Sequence, residues 1–312
     1  MGVSPIMIKS MKIAVVVAVL ASVSYAGIAD DAHMMVIQNQ AAPAEAALKT
    51  YRAQNGVDSE YIDGLSWLAR GMYYNKQLER AEELARETES LAKQQLGHKR
   101  LDADGHLAEA VGAAIEVQSQ VLSARGQKEQ AAVLLRRAIT TYGNTSIRAR
   151  LQKNLNLISF SGKAAPELSA AQHLGPTPTS LAQLKGSPVL LFFWAHWCPD
   201  CKTEGPIITQ LRSEFGPKGL MVLAPTQYYG YAAHGEDAKP ADELKWIEKV
   251  WRQFYPGLQS VPVPVSKANF DGYGASTTPT IVLLGKDGRV ALYHPGAMPY
   301  QELRAAVEKV AN

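Results

Sequence analysis

The sequence predicts an α/β sandwich in the C-terminal half of the chain, preceded by an all-α domain built from helical hairpins. Residues 44–158 carry apolar side chains at helical spacing and contain no proline. Residues 188–310 instead alternate short apolar runs with amphipathic segments, which is typical of buried strands covered by helices. With 312 residues, 46% of them hydrophobic, the chain is long enough for two domains.

Residues 1–26 have the pattern of an export signal. Lys9 and Lys12 precede an apolar run over 13–23, and small residues follow up to Ala26. The run is shorter than the roughly 20 apolar residues of a membrane-spanning helix. We therefore expect cleavage after Ala26 and a periplasmic or other extracytoplasmic location, with an uncleaved membrane anchor as the alternative.

The helical half contains a weak internal repeat. Residues 77–84 parallel residues 127–134 at an offset of 50, and each copy opens a helix. The pattern resembles the hairpins of tetratricopeptide-type repeats, whose usual period is about 34 residues. A plain antiparallel bundle is the alternative. Hairpins of this kind often offer a groove to a protein partner, so such a partner is expected here. Linkers are expected at 27–43 and 159–175.

The second half reads strand, helix, strand, helix, hairpin, helix, which is the order of a thioredoxin-like sandwich. Lys286-Asp287-Gly288 supplies the hairpin turn. The predicted strands cover 189–194, 220–224, 280–284 and 289–293, and the predicted helices cover 199–215, 241–254 and 300–310.

The chain has only two cysteines, Cys198 and Cys201. A disulfide between cysteines so close in sequence closes a very small loop and adds little stability. A reactive role therefore explains this pair better than a structural one. Cys198 follows a buried strand and precedes a helix, where free N–H groups favour a thiolate. Cys198 is therefore the predicted attacking thiol, and Cys201 is expected to resolve the mixed disulfide. Pro199 suits the first helical turn, where no N–H is needed.

Residues 194–206 read W-A-H-W-C-P-D-C-K-T-E-G-P. This run resembles the W-A-x-W-C-x-x-C-x-x-E-x-P signature of TlpA/ResA-like extracytoplasmic thioredoxins, within the superfamily that also includes AhpC/TSA proteins. Residues 165–168 and 277–280 are also similar to that family. The resemblance covers residues 164–312, which it identifies as a thioredoxin-like domain, and it leaves the helical half unassigned.

The resemblance implies a thiol–disulfide oxidoreductase that reduces or exchanges disulfides in exported proteins through Cys198 and Cys201. It implies a cis Thr278-Pro279 bond facing the disulfide, and it assigns Glu204 to take the proton of Cys201. It also implies a membrane-bound dithiol as electron donor. No cofactor is expected. The candidate catalytic residues are Cys198, Cys201, Glu204 and Pro279, and the candidate substrate-binding residues are Trp197, Pro199, Asp200 and Thr278.

Some positions differ from those of thioredoxin and of the TlpA/ResA-like family. Phe192 stands where thioredoxin itself has a buried aspartate. His196 occupies a position that is commonly small, and we expect it to face solvent. The charge of Asp200 should oppose thiolate formation and so favour a more reducing couple.

The long stretch between the second and third predicted strands is rich in aromatic residues. The candidates for a groove beside the site are Tyr228, Tyr229 and Tyr231. The residues expected to pack in the core are Trp246, Val250 and Phe254.

Other functions fit the sequence less well. A peroxiredoxin-like peroxidase would need a Pro-x-x-x-Thr-x-x-Cys motif, which neither cysteine has. A zinc site would need two more ligands, and His173, His196 and His234 lack a matching spacing. No metal is expected. A net charge of +3 without a basic stripe does not indicate nucleic-acid binding. A partner-recruiting helical-repeat protein with a secondary redox domain remains an alternative.

Overall fold

The computed structural model describes residues 27–311, so the predicted signal sequence lies outside the described residues. The N-terminal part of the described chain is entirely helical. Its helices are α1 (Ile28–Ile37), α2 (Ala41–Asn55), α3 (Ser59–Tyr74), α4 (Leu78–Leu96), α5 (Gly105–Ala124), α6 (Lys128–Tyr142) and α7 (Arg148–Ser159).

The first helix replaces the linker expected at 27–43, and that expectation is wrong. Ile28, Ala32 and Val36 recur every four residues, which places them on one face of α1. All three are buried in the core of the helical domain, and Val36 packs against the backbone of α3 at Gly71. The signal available in the sequence was this four-residue spacing, within a short segment whose polar residues are Asp30, Asp31 and His33.

Three helical hairpins share one turn geometry. In each turn the backbone N–H of a glutamine donates to the carbonyl five residues earlier, at 2.8 Å for Gln40 and at 2.9 Å for Gln77 and Gln127. An alanine four residues after each glutamine is fully buried, namely Ala44, Ala81 and Ala131. The repeat seen at an offset of 50 therefore has a third copy, in α1 and α2, that the sequence pattern did not reveal.

The C-terminal part has the predicted thioredoxin-like topology. A four-stranded sheet has the order β3 (Met221–Leu223), β2 (Val189–Phe193), β5 (Thr280–Leu284) and β6 (Val290–Pro295). Strands β2 and β3 are parallel, and the other neighbouring pairs are antiparallel. Every residue of β2 and β5 is buried, as expected for strands covered on both faces. The elements are β1 (His173–Leu174), β2 (Val189–Phe193), α8 (Pro199–Phe215), β3 (Met221–Leu223), α9 (Pro240–Phe254), β4 (Val263–Pro264), α10 (Lys267–Tyr273), β5 (Thr280–Leu284), β6 (Val290–Pro295) and α11 (Tyr300–Ala311).

The two parts contact each other through α7 and α10. Nδ2 of the buried Asn156 donates to the carbonyl of Tyr273 at 2.9 Å. Gly274 ends α10 with φ +61°, and a Cβ there would lie 2.3 Å from the backbone nitrogen of Lys153. The absence of a side chain at Gly274 is thus what allows the two backbones to approach.

Residues 160–175, which follow α7 and were expected to form a linker, contain no helix and are bound to the α/β domain. Phe160 is buried and packs edge-on against Tyr273 and Tyr293. The N–H of Gly162 donates to the carbonyl of Val290 at 2.8 Å. Across residues 27–311, no helix combines the length and the apolar character that crossing a membrane requires.

Candidate active site

Cys198 and Cys201 lie where a buried strand passes into a helix. β2 ends at Phe193, and α8 begins with Pro199 directly after Cys198, its N-cap residue. The two cysteines form a disulfide, with Cα atoms 5.3 Å apart. Sγ of Cys198 accepts a hydrogen bond from the N–H of Cys201 at 3.0 Å. This first-turn N–H and the partial positive charge of the helix end both stabilise a thiolate at Cys198.

The loop before β5 brings Thr278 and Pro279 to the same place. The Thr278-Pro279 peptide bond is cis, as the resemblance implies. The carbonyl oxygen of Thr278 lies 3.3 Å from Sγ of Cys198. The loop is held from both ends, because the hydroxyl of Thr280 donates to the carbonyl of Thr277 at 2.6 Å and Gly296 donates to that of Pro279 at 2.8 Å.

Glu204 is a buried carboxylate on α8, three residues after Cys201. Only 1% of its surface is exposed. Its Oε2 accepts the N–H of Met298 at 3.1 Å, and its Oε1 has no hydrogen-bond partner among the described residues. Burial raises the pKa of Glu204 to about 6, and the Met298 bond only partly offsets that rise. A carboxylate with such a pKa exchanges protons readily near neutral pH.

Trp197 and Asp200 flank the disulfide at the surface. The Trp197 side chain remains 45% exposed, although it directly precedes a buried cysteine. Its ring meets that of Tyr229 edge-on, with centroids 5.5 Å apart. Asp200 is exposed in the first turn of α8. The predicted site residues therefore converge on the start of α8, except that Glu204 lies in the interior.

His196 does not face solvent, contrary to expectation. It is 2% exposed, and its ring packs edge-on against Tyr229 and Tyr231 at 5.5 and 5.3 Å. Its Nε2 lies 3.4 Å from Oε1 of Glu243. Burial lowers the pKa of His196 and outweighs the opposing effect of Glu243, so the imidazole is neutral at pH 7. The loop that carries the tyrosines covers this position, which the sequence alone did not reveal.

Glu243 is the residue that the sequence analysis missed. In the sequence it looks like an ordinary acidic residue in the first turn of α9. In the fold it is 1% exposed, and its two oxygens accept the N–H groups of Tyr229 and Gly230 at 2.5 and 2.9 Å.

The packing face of α9 also differs from the prediction. Val250 is buried as expected, but Trp246 is only partly buried and Phe254 is 38% exposed beneath the ammonium of Lys202. Trp251 takes the core position instead, where it packs on Trp194 with ring centroids 4.9 Å apart. The buried face of α9 therefore includes Trp251 in place of the predicted Trp246 and Phe254. Between residues 27 and 311 no cluster of His, Cys, Asp or Glu has the arrangement of a metal site.

Comparison with known proteins places residues 177–311 in a family described as thioredoxin-like domain. The thiol:disulfide interchange protein DsbE of Xylella fastidiosa strain Temecula1 is 32% identical over 141 residues, or 45% of this chain and 64% of that protein. The thiol-disulfide oxidoreductase ResA of Bacillus anthracis is 29% identical over 151 residues, or 48% of this chain and 78% of that protein. The chain thus spans less than two thirds of the length of the DsbE relative.

Among solved structures, a putative thiol:disulfide interchange protein DsbE from Chlorobium tepidum aligns with 49% of this chain and 98% of its own. The two are 27% identical and the TM-score is 0.38. The family match, the sheet order and the disulfide at the start of α8 all concern the same part of the chain. Residues 177–311 of this protein are therefore a thioredoxin-like domain, and the C-terminal part of the chain is similar in sequence to the DsbE and ResA thiol–disulfide oxidoreductases.

Proposed function

We propose that the protein is a thiol–disulfide oxidoreductase that exchanges disulfides of exported proteins through Cys198 and Cys201. The observation that carries this proposal is the environment of Cys198 Sγ. The N–H of Cys201 lies 3.0 Å from it and the carbonyl oxygen of Thr278 lies 3.3 Å from it. One contact stabilises a thiolate, and the other leaves the backbone of Thr278 beside the sulfur that a substrate approaches.

The reaction follows from this arrangement. In the dithiol state the Cys198 thiolate attacks one sulfur of a substrate disulfide, which forms a mixed disulfide and releases the other substrate sulfur as a thiolate. Cys201 then attacks Cys198 and releases the second substrate sulfur. The substrate gains two electrons and two protons, and the Cys198–Cys201 pair becomes a disulfide. In this scheme Glu204 accepts the proton of Cys201, since its pKa of about 6 leaves it ionised at neutral pH.

The substrate would lie across the start of α8. Thr278 offers backbone groups to an extended substrate chain, with Pro279 fixing the loop beside it. Trp197 contributes an exposed ring, and Pro199 and Asp200 form the neighbouring turn. The exposed carboxylate of Asp200 places negative charge near the thiols, which supports a couple that works as a reductant rather than an oxidant.

The proposed location is outside the cytoplasm. The two lysines, the apolar run and the small residues within residues 1–26 support export, either with cleavage or with retention as an anchor. A reductant in an oxidising compartment must itself be reduced, so a membrane-bound dithiol carrier is the proposed electron donor.

The helical domain is proposed to be tetratricopeptide-like and to select a protein partner. The three equivalent hairpins support that assignment, because stacked hairpins of this kind present continuous grooves. A cavity of about 400 Å³ also lies between the two domains. It is lined by Glu109, Ser146 and Arg150 of the helical domain and by Ser276, two residues before Thr278. A partner held by the helical domain would thus lie near the active-site loop.

Trapping of the mixed disulfide tests the proposed function. Reduced Cys201→Ser protein should accumulate a covalent complex with insulin, because the attacking thiol remains and the resolving thiol is absent. Cys198→Ser protein, the matched control, should form none. A dithiothreitol-sensitive band on a non-reducing gel reports the complex. Equal trapping by both variants, or trapping by neither, would contradict the assigned roles.

A further inference from the structure

The loop beside the active site is attached to α9 by one buried carboxylate. Oε1 of Glu243 accepts the N–H of Tyr229 at 2.5 Å, and Oε2 accepts the N–H of Gly230 at 2.9 Å. A carboxylate that is 1% exposed costs free energy unless it is hydrogen-bonded, so it is not simple core filling. Gly230 has φ +87°, a conformation that glycine tolerates best, so the carboxylate holds the loop at a bend.

His196 connects this attachment to the redox centre. It lies two residues before Cys198, with its Nε2 3.4 Å from Oε1 of Glu243. Its neutral ring fills the space below the loop, edge-on to both Tyr229 and Tyr231. The segment between β2 and α8, helix α9 and the loop that carries Tyr229 and Tyr231 therefore meet at the Glu243 carboxylate.

Trp197, Tyr229 and Tyr231 form an aromatic wall next to the disulfide. The Trp197 and Tyr229 rings meet edge-on at 5.5 Å, and the Tyr229 and Tyr231 centroids are 6.3 Å apart. Trp197 is 45% exposed and both tyrosines are partly exposed. Burial raises the pKa values of Tyr229 and Tyr231, so both hydroxyls stay uncharged at neutral pH. An exposed Trp197 ring beside two partly exposed, uncharged tyrosine rings favours apolar side chains over charged ones.

We propose that this aromatic wall recognises an aromatic or large aliphatic side chain next to the reactive cysteine of the substrate, and that Glu243 is the positioning residue that holds the wall in place. The inference rests on the proposed oxidoreductase function and names the substrate class for the same site. A packed ring on such a surface typically dominates the binding energy of the contact. Small disulfides such as glutathione disulfide present no such side chain and gain nothing from the wall.

A pair of peptide disulfides tests the proposal. Both peptides carry the same intramolecular disulfide, with phenylalanine before the reactive cysteine in one and serine in the other. The readout is the ratio of the second-order rate constants with reduced protein, and glutathione disulfide serves as a third substrate. Wild-type protein should prefer the phenylalanine peptide about tenfold, and Tyr229→Ala should bring that ratio to about one.

Glu243→Gln should lower the ratio several-fold, because an amide oxygen keeps only part of the carboxylate's hydrogen bonding. Glu248→Gln on the exposed side of the same helix is the matched control and should keep the wild-type ratio. Should Glu243→Gln fail to fold, the rate ratio of Tyr229→Ala still tests whether the wall recognises the apolar side chain. A wild-type ratio of about one, or a Tyr229→Ala variant that slows both peptides equally, would overturn the inference. Failure of wild-type protein to react with any disulfide would instead overturn the proposed function.

Discussion

The carbonyl oxygen of Thr278 lies 3.3 Å from Sγ of Cys198, although the two residues are 80 positions apart in the chain. The sheet explains this proximity. β2 and β5 are antiparallel neighbours in which Phe193 pairs with Thr280. The residues that follow β2 and those that precede β5 therefore leave the sheet at the same end of this strand pair. The register of one strand pair thus places the attacking sulfur beside the loop that would hold the substrate.

Glu204→Gln should slow resolution of the mixed disulfide, because an amide cannot accept the proton of Cys201. We expect a loss of at least about tenfold at pH 7.5, within the usual range for a general base. The wild-type rate should rise as pH increases through about 6, where Glu204 ionises, and the variant should lack that step. Stopped-flow tryptophan fluorescence measures the rate, with Glu214→Gln near the C-terminal end of α8 as control. An unchanged pH profile would remove Glu204 from the mechanism.

The same substitution should stabilise the fold at neutral pH. Burial raises the pKa of Glu204 from 4.5 to about 6, so the protonated form favours folding and the stabilising effect is lost as pH rises through 6. A neutral glutamine avoids this cost, which corresponds to about 2 kcal/mol at pH 8 and vanishes below about pH 4.5. Urea unfolding at both pH values provides the comparison. A variant less stable than wild type at pH 8 would show that the carboxylate is better accommodated than its burial indicates.

Asp200→Asn should raise the reduction potential of the cysteine pair. Removing a negative charge beside the thiols favours the thiolate and so stabilises the reduced form. Because Asp200 is exposed, solvent screens the effect, and we expect a shift of about 10 to 20 mV that shrinks at high salt. Asp287→Asn, in the distant hairpin turn, is the control. A fall in potential would reverse the proposed influence of Asp200.

Gly274→Ala should weaken the contact between the two domains. The residue has φ +61°, and a Cβ would lie 2.3 Å from the backbone nitrogen of Lys153. Backbone cannot move aside as a flexible side chain does, so we expect a loss of at least about 2 kcal/mol of unfolding free energy. Gly272→Ala, within α10 itself, is a matched control, since a Cβ added there would meet no neighbouring atom within 4 Å. Limited proteolysis of residues 159–175 and urea unfolding report the outcome, and equal stability of both variants would contradict the close approach.

A cluster of ionised side chains in the helical domain should make the stability of that domain depend on pH. Burial alone would raise the pKa of Glu116, but Lys153 and Arg150 outweigh it and hold that pKa at about 2. Stability from this lowered pKa is complete above about pH 4.5 and is lost as pH falls towards 2. Glu116→Gln removes the carboxylate that pairs with Lys153, whereas Arg150 keeps its ion pair with Glu109. The substitution should cost about 3 kcal/mol at pH 7, with a smaller difference at pH 3. Differential scanning calorimetry at pH 7 and pH 3 measures the difference, and exposed Glu129→Gln should change little in the same experiment. An equal loss for Glu116→Gln at both pH values would contradict the lowered pKa.

The sequence predicted the long elements well because their patterns are strong. The continuous apolar runs of β2 and β5 and the helix from Pro199 to Phe215 occur where expected. The two-residue strands β1 and β4 are too short to show any periodicity, so the sequence did not predict them. The prediction of a linker over α1 was wrong. A helix of only ten residues is not stable by itself, and the apolar side chains of α1 become buried only when α3 is there to cover them.

The site was predictable to the extent that its chemistry lies in one contiguous motif. Cys198, Cys201 and Glu204 are all found within a few residues of one another in the sequence. The proximity of His196 to Glu243 was not predictable, because 47 positions separate the two residues and neither stands in a recognisable spacing. Such a contact depends on how the loop after β3 folds back over the start of α8, and local propensity does not encode that path.

The most direct test of the proposed oxidoreductase is the reduction potential of the Cys198–Cys201 couple, measured by equilibration in glutathione or dithiothreitol buffers with alkylation of free thiols. We expect a reversible two-electron transition, closer to the roughly −270 mV of thioredoxin than to the roughly −120 mV of DsbA, and none in Cys198→Ser. A value near −120 mV would contradict the proposed reductase. Absence of any transition in the wild-type protein would contradict an oxidoreductase function altogether.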